Sequence, residues 1–103
     1  MKVNTETILT TIQGQPLKDK DTNGQVIDVT VKTVIINAIL IPKQNETGIE
    51  KVQKYELAKK IYSSPEVDLT VEEIVLIKEK VGEAFAPIVV GQIWNLLEKG
   101  SIN

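Results

Sequence analysis

The chain of 103 residues contains no cysteine and no histidine, and all twelve of its cationic residues are lysine. The missing thiol and imidazole groups exclude disulfides, ordinary zinc sites, and Ser-His or Cys-His catalysis. The missing arginine removes the usual bidentate ligand of phosphate and guanine. Together with a net charge of −2, these absences argue against an enzyme and against nucleic acid as a partner.

Aromatic residues and long apolar runs are also scarce. Tyr55, Tyr62, Phe85 and Trp94 are the four aromatic residues, so we expect an aliphatic core and no platform for stacking bases. The longest apolar run, residues 34–41, is interrupted by Asn37 and is too short to span a bilayer. We therefore predict a single domain over residues 1–103, without a membrane segment or a signal peptide.

Residues 1–29 predict a β-hairpin region. Residues 3–12 are rich in β-branched side chains, which favours a strand. Residues 13–25 carry turn-forming residues that include Gly14, Pro16 and the Asn23-Gly24 pair. Residues 26–29 can form a short strand that returns alongside the first and closes the hairpin.

Residues 30–100 predict about four helices, so the expected fold class is α+β with a mostly helical core. Thr30 fits the N-cap of the first helix, because apolar residues follow it at spacings of three and four as far as Pro42. A strand is the alternative for residues 30–41, since many of them are Val or Ile.

Two capping boxes predict the next two helices. Thr47 with Glu50 begins a helix that should run to about Tyr62, and Thr70 with Glu73 begins one that should run to about Phe85. In the first of these helices, the residues expected to face inward are Ile49, Val52, Tyr55, Ala58, Ile61 and Tyr62. The second is expected to bury Ile74, Ile77, Val81 and Phe85.

The last helix should begin at Pro87 and end at Gly100. It is apolar over more than half of its circumference, so it must be covered on nearly all sides. Either the hairpin covers its outer side or another chain does. We predict an interface with a second copy formed by Ile88, Val89, Val90, Gly91, Ile93, Trp94 and Leu97.

The segment 19–24 resembles the first half of a calcium loop, with oxygen-bearing side chains on Asp19, Asp21 and Asn23 and with Gly24 at the sixth position. The twelfth position, where a bidentate Glu should complete the shell, is Thr30. We therefore favour a hairpin turn, keep these three residues as a weak candidate for calcium, and predict no metal and no cofactor.

Four lysines cluster on the helix after Thr47: Lys51, Lys54, Lys59 and Lys60. Interspersed glutamates make a mixed, solvated surface the preferred interpretation. Nucleic-acid or nucleotide binding through surface lysines is the alternative function. Adjacent carboxylates such as Glu72 and Glu73 point about 100° apart on a helix, so they do not form an acid–base pair.

The succession of "VTVKTVIINAIL", "YELAKKI" and "VDLTVEEIVLIKEKVGEAFAPIVVGQIWNLLE" resembles small proteins of tailed bacteriophages and prophages that lack an established function. The resemblance implies a viral origin and a location in the cytoplasm of a bacterial host. We accordingly expect a non-enzymatic accessory protein that acts by protein–protein contact, as a homo-oligomer and against a host or phage protein, in host-factor inhibition or assembly.

Overall fold

The order of elements is strand-rich at the N-terminus and helical afterwards. The computed structural model describes residues 1–99, and within them it contains four short strands and four helices. Their bounds are β1 (Lys2–Asn4), β2 (Lys18–Lys20), β3 (Val26–Asp28), α1 (Val31–Ile39), α2 (Gly48–Ser63), β4 (Glu66–Asp68), α3 (Val71–Ala84) and α4 (Pro87–Lys99). The α+β class is confirmed. Gly100, the predicted end of the last helix, lies outside the described residues.

The helix starts follow from the caps that the sequence predicts. The Thr30 hydroxyl accepts a hydrogen bond from the Thr33 N–H, so α1 is a helix and the strand alternative is wrong. Both capping boxes are formed, with Thr47 and Glu50 at the start of α2 and Thr70 and Glu73 at the start of α3. Each box satisfies backbone N–H groups that a helix leaves without an internal partner.

An N-terminal hairpin is present, but its first strand is not the predicted one. The hairpin pairs β2 with β3, and β2 comes from the segment that was expected to be a turn. β1 instead pairs antiparallel with β4, with Val3 opposite Val67. The predicted strand 3–12 breaks because Asn4 starts a turn: its side chain accepts from the Glu6 N–H and its carbonyl accepts from the Thr7 hydroxyl.

After this turn, Leu9 forms backbone hydrogen bonds with the residues that flank the β2–β3 hairpin. The Leu9 N–H donates to Val29, the Val29 N–H donates to Leu17, and the Leu17 N–H donates to Leu9, each at 2.8–2.9 Å. This three-membered ring of hydrogen bonds fixes the β2–β3 hairpin to the N-terminal segment. It also brings Leu9, which is buried, to the edge of the core.

The core lies around α1, which packs against α2 on one side and α3 on the other. Its fully buried side chains are aliphatic, as expected, and include Ile35, Ile39, Ile61, Ile77 and Ile93. Because β4 lies between α2 and α3 and pairs with β1, the β-structure crosses the predicted boundary between residues 1–29 and 30–100. None of the described helices is long and apolar enough to cross a membrane.

Candidate protein-contact surface

Helix α2 buries a different face from the predicted one. Ala58 and Ile61 are buried as expected, and they share the inner face with Lys54 and Leu57. The other four predicted inward residues are largely exposed, by 73% for Ile49, 60% for Val52, 55% for Tyr55 and 72% for Tyr62. The prediction for these four side chains is therefore wrong.

The buried face includes two residues that the predicted set omitted, the apolar Leu57 and a buried lysine, Lys54. The Lys54 ammonium donates to the Ile41 carbonyl at 2.9 Å and to a carboxylate oxygen of Glu46 at 2.7 Å. Its side chain and that of Glu46 are both almost fully buried. The hydrogen bond from Lys54 lowers the pKa of Glu46 below its ordinary value, despite burial. This ion pair ties the loop between α1 and α2 to the inner face of the helix.

The opposite side of α2 carries an apolar stripe that faces outward. We call Ile49, Val52, Tyr55 and Tyr62 the α2 stripe. Their spacings of three and seven residues place them along one side of the helix, opposite the buried face. Two charges lie among them: Glu56 and Lys59 are 3.9 Å apart, and the Lys59 ammonium is 5.3 Å from the centre of the Tyr55 ring.

A groove borders the α2 stripe on each side. Between α1 and α2 lies an apolar cavity of about 420 Å³, lined by Ile36, Leu40, Tyr55, Ala58, Lys59, Tyr62 and Ser63. Between α2 and α3 lies a larger one of about 700 Å³, lined by Val52, Gln53, Glu56, Leu57, Lys60, Glu72, Glu73 and Leu76. The exposed side of α2 thus stands between two open clefts with apolar walls.

The predicted interface on α4 divides into buried and accessible residues. Ile93 and Leu97 are fully buried, so they belong to the core and are not surface residues. Ile88, Val89 and Val90 are half-buried, and Gly91 is exposed. Part of this helix is covered within the chain, because the N-terminal segment contacts it through Thr10.

The side chain of Gln92 forms hydrogen bonds between α4 and the N-terminal segment. The Gln92 side chain accepts from the Thr10 N–H at 2.9 Å and donates to the Thr10 carbonyl at 2.7 Å. It therefore pairs with the backbone as a neighbouring strand would. The sequence contained no signal for this pair, because its members are 82 residues apart.

Trp94 has a structural contact of its own. Its indole N–H donates to the Lys78 carbonyl at 3.2 Å, and the Lys78 ammonium lies 5.4 Å from the centre of the ring. The side chain is still 38% exposed. It therefore holds α4 against α3 with one edge and shows the other to solvent.

The segment that resembles a calcium loop uses its carboxylates within the turn. Asp21 accepts from the N–H groups of Asn23 and Gln25 at 2.9 and 3.0 Å, and Asp19 accepts from the N–H of Lys20. Gly24 has a φ of +81°, as the preferred hairpin interpretation requires. Within residues 1–99 no three acidic side chains come close enough together to hold a metal ion.

The lysines do not form an uninterrupted cationic surface, because most of them pair with carboxylates. Eight of the twelve lie within 4 Å of an Asp or Glu oxygen: Lys2, Lys18, Lys32, Lys54, Lys59, Lys60, Lys78 and Lys80. Lys60, one of the clustered lysines of α2, binds Glu73 at 2.8 Å. Burial alone would raise the pKa of Glu73, but the hydrogen bonds from Lys60 and from the Thr70 N–H outweigh it and lower that pKa.

The surface that stands out is therefore the α2 stripe with its two grooves. Comparison with protein-family models, with curated proteins and with solved structures finds no match to this chain.

Proposed function

We propose that this protein acts without catalysis, by contact with another protein chain through the α2 stripe, and that it does so as a homo-oligomer. The observation that carries this proposal is the exposure of four large apolar side chains on one face of a single helix. Isolated exposed apolar residues are ordinary, but a contiguous apolar patch is a feature of interaction sites. Tyrosine, which supplies two of the four, is enriched in such sites.

The size of the patch supports a contact surface. A tyrosine side chain can bury about 200 Å², so Tyr55 and Tyr62, at 55% and 72% exposure, leave roughly 250 Å² for a partner. Ile49, Val52 and the half-exposed Leu40 add to it. The total falls in the range of a few hundred Å² that marks the functional patch of many small proteins.

The biological setting is proposed on the sequence resemblance alone. A small phage or prophage accessory protein in the cytoplasm of a bacterial host would use such a surface for host-factor inhibition or for assembly. Self-association would use this exposed apolar face, because burial of apolar surface releases water.

The test compares two pairs of matched substitutions by light scattering coupled to gel filtration, from about 1 µM to a few hundred micromolar. Val52→Gln with Tyr55→Gln removes the centre of the α2 stripe. Val71→Gln with Val75→Gln removes two valines of similar exposure on α3. We expect the mass of the wild type and of the α3 variant to rise with concentration, and the stripe variant to stay monomeric. A wild type that stays monomeric throughout, or equal weakening by both pairs, would overturn the proposal.

A further inference from the structure

We infer that the occupant of the α2 stripe is helix α2 of a second copy, packed antiparallel about a two-fold axis that passes between Tyr55 and Glu56. This inference rests on the proposed function and specifies its partner and geometry. A two-fold, isologous contact is the commonest arrangement of homo-oligomers, and it requires a surface that complements itself. The exposed face of α2 meets that requirement in shape and in charge.

The register follows from the positions along the helix. Antiparallel packing about this axis sets Ile49 opposite the partner's Tyr62, Val52 opposite the partner's Lys59, and Tyr55 opposite the partner's Glu56. Ile49 and Tyr62 then contact one another across the axis, and Val52 contacts the alkyl chain of the partner's Lys59. Tyr55 faces a carboxylate that its hydroxyl can reach. The phenol of Tyr55 can donate to the partner's Glu56 carboxylate, while the stem of Lys59 covers Val52 and its ammonium stays in water.

Charge decides between the two possible directions. In a parallel pair, each Glu56 would face the partner's Glu56 and each Lys59 the partner's Lys59, which is repulsive. In the antiparallel pair, each Lys59 faces the partner's Val52 and lies about 6 Å along the axis from the partner's Glu56, while the two Lys59 are about 10 Å apart, so the repulsion between the lysines is removed. The helix dipoles also oppose one another in this direction, which is favourable.

The contact area indicates a weak dimer. With Ile49, Val52, Leu40 and the Lys59 stem added to the two tyrosines, each chain contributes roughly 500 Å², about 1,000 Å² for the pair. This value is at the lower limit for a specific interface, so we expect a dissociation constant on the order of micromolar.

The first experiment cross-links introduced cysteines, which is clean because the native chain has none. Gly48→Cys and Ser63→Cys lie on the exposed face at opposite ends of α2, and a side chain at residue 48 meets open space. In the antiparallel pair, residue 48 lies beside the partner's residue 63, whereas the two residues 48 are about 22 Å apart at 1.5 Å per residue. Gly91→Cys, exposed on α4, is the control.

A short bis-maleimide should join a mixture of the 48 and 63 variants and should leave either variant alone, and the control, as single chains. Cross-linking of the Gly48→Cys variant to itself would show a parallel pair and overturn the geometry while leaving the proposed function standing. Association of the chains without cross-linking at any of these positions would also overturn the geometry and leave the proposed function standing. Absence of association in the wild type would instead overturn the proposed function.

The second experiment exchanges the charges. Glu56→Lys makes the centre of the face wholly positive and Lys59→Glu makes it wholly negative, so each variant alone should dimerise about three- to tenfold more weakly than the wild type. Mixed together, the two variants should recover wild-type affinity as a heterodimer, since opposite charges then meet. Failure of the mixture to recover would contradict the register, and circular dichroism of each variant checks that the helix is intact.

Discussion

Replacement of Thr5 by valine should destabilise the protein far more than an equivalent change a few residues away. Thr5 is fully buried, and its single hydroxyl proton is shared between the carbonyls of Ser64 and Pro65, each 3.0 Å away. Its own N–H also donates to Pro65, and its carbonyl accepts from the Lys32 N–H. One residue thus ties the N-terminal segment to the end of α2 and the start of α1.

Valine has nearly the shape of threonine, so the change creates no cavity and isolates the hydroxyl. Removal of the donor leaves a buried carbonyl without this hydrogen bond, which costs about 1–3 kcal/mol. We therefore expect a loss of about 1–3 kcal/mol in unfolding free energy. With an unfolding entropy of about 2.1 cal/mol/K per residue, the melting temperature should fall by roughly 5–14 °C.

The matched control is Thr7→Val, because Thr7 also donates through its hydroxyl, to Asn4 at 2.9 Å, but at an exposed position. Water replaces that bond, so the change should cost less than about 0.5 kcal/mol. Thermal and urea unfolding, followed by far-ultraviolet circular dichroism and by Trp94 fluorescence, measure both variants. If Thr5→Val unfolds at the same temperature as Thr7→Val, the reasoning about the buried hydroxyl is refuted.

Two further predictions concern acid and glycine. The pKa values of Glu46 and Glu73 are lowered in the folded state from an ordinary value of 4.5, so their contribution to the free energy of unfolding is complete above that pH and is lost as the pH falls below it. Glu73→Gln should therefore reduce the loss of stability in acid. An unchanged dependence of stability on pH would contradict this. Gly91→Ala should raise the unfolding free energy by up to about 1 kcal/mol, because the added methyl meets open space in a helix. It should leave self-association unchanged, whereas weakened association would return the interface to α4.

The sequence predicted best those features that depend on residues close together in the chain. The caps at Thr30, Thr47 and Thr70 each need only a hydroxyl and a backbone group three residues away, and all three are present. The turn at Asn23-Gly24 is equally local. Each of these features depends on a few neighbouring residues, so the local sequence is sufficient to predict it.

Contacts between distant residues escaped prediction. The pairing of β1 with β4 and the pairing of Gln92 with Thr10 join segments that are more than sixty residues apart. The residues that make these contacts, a three-residue strand and one amide side chain, have no distinctive local pattern. β-propensity describes how well a side chain fits a half-buried pleated surface and does not name the neighbouring strand.

Helix α2 buries a face on which an ion pair accompanies apolar side chains, and not the face that the predicted pattern indicates. The spacing of Ile49, Val52, Tyr55 and Tyr62 indicates a buried face, yet the isolated chain buries the face that carries Lys54. Turning the helix to cover the α2 stripe would release Lys54 from Glu46 and leave the Glu46 carboxylate buried without its donor, which is costly. The two demands are compatible if the core takes one face and a second copy takes the other. In the proposed dimer, the core covers one face of α2 and the second copy covers the α2 stripe.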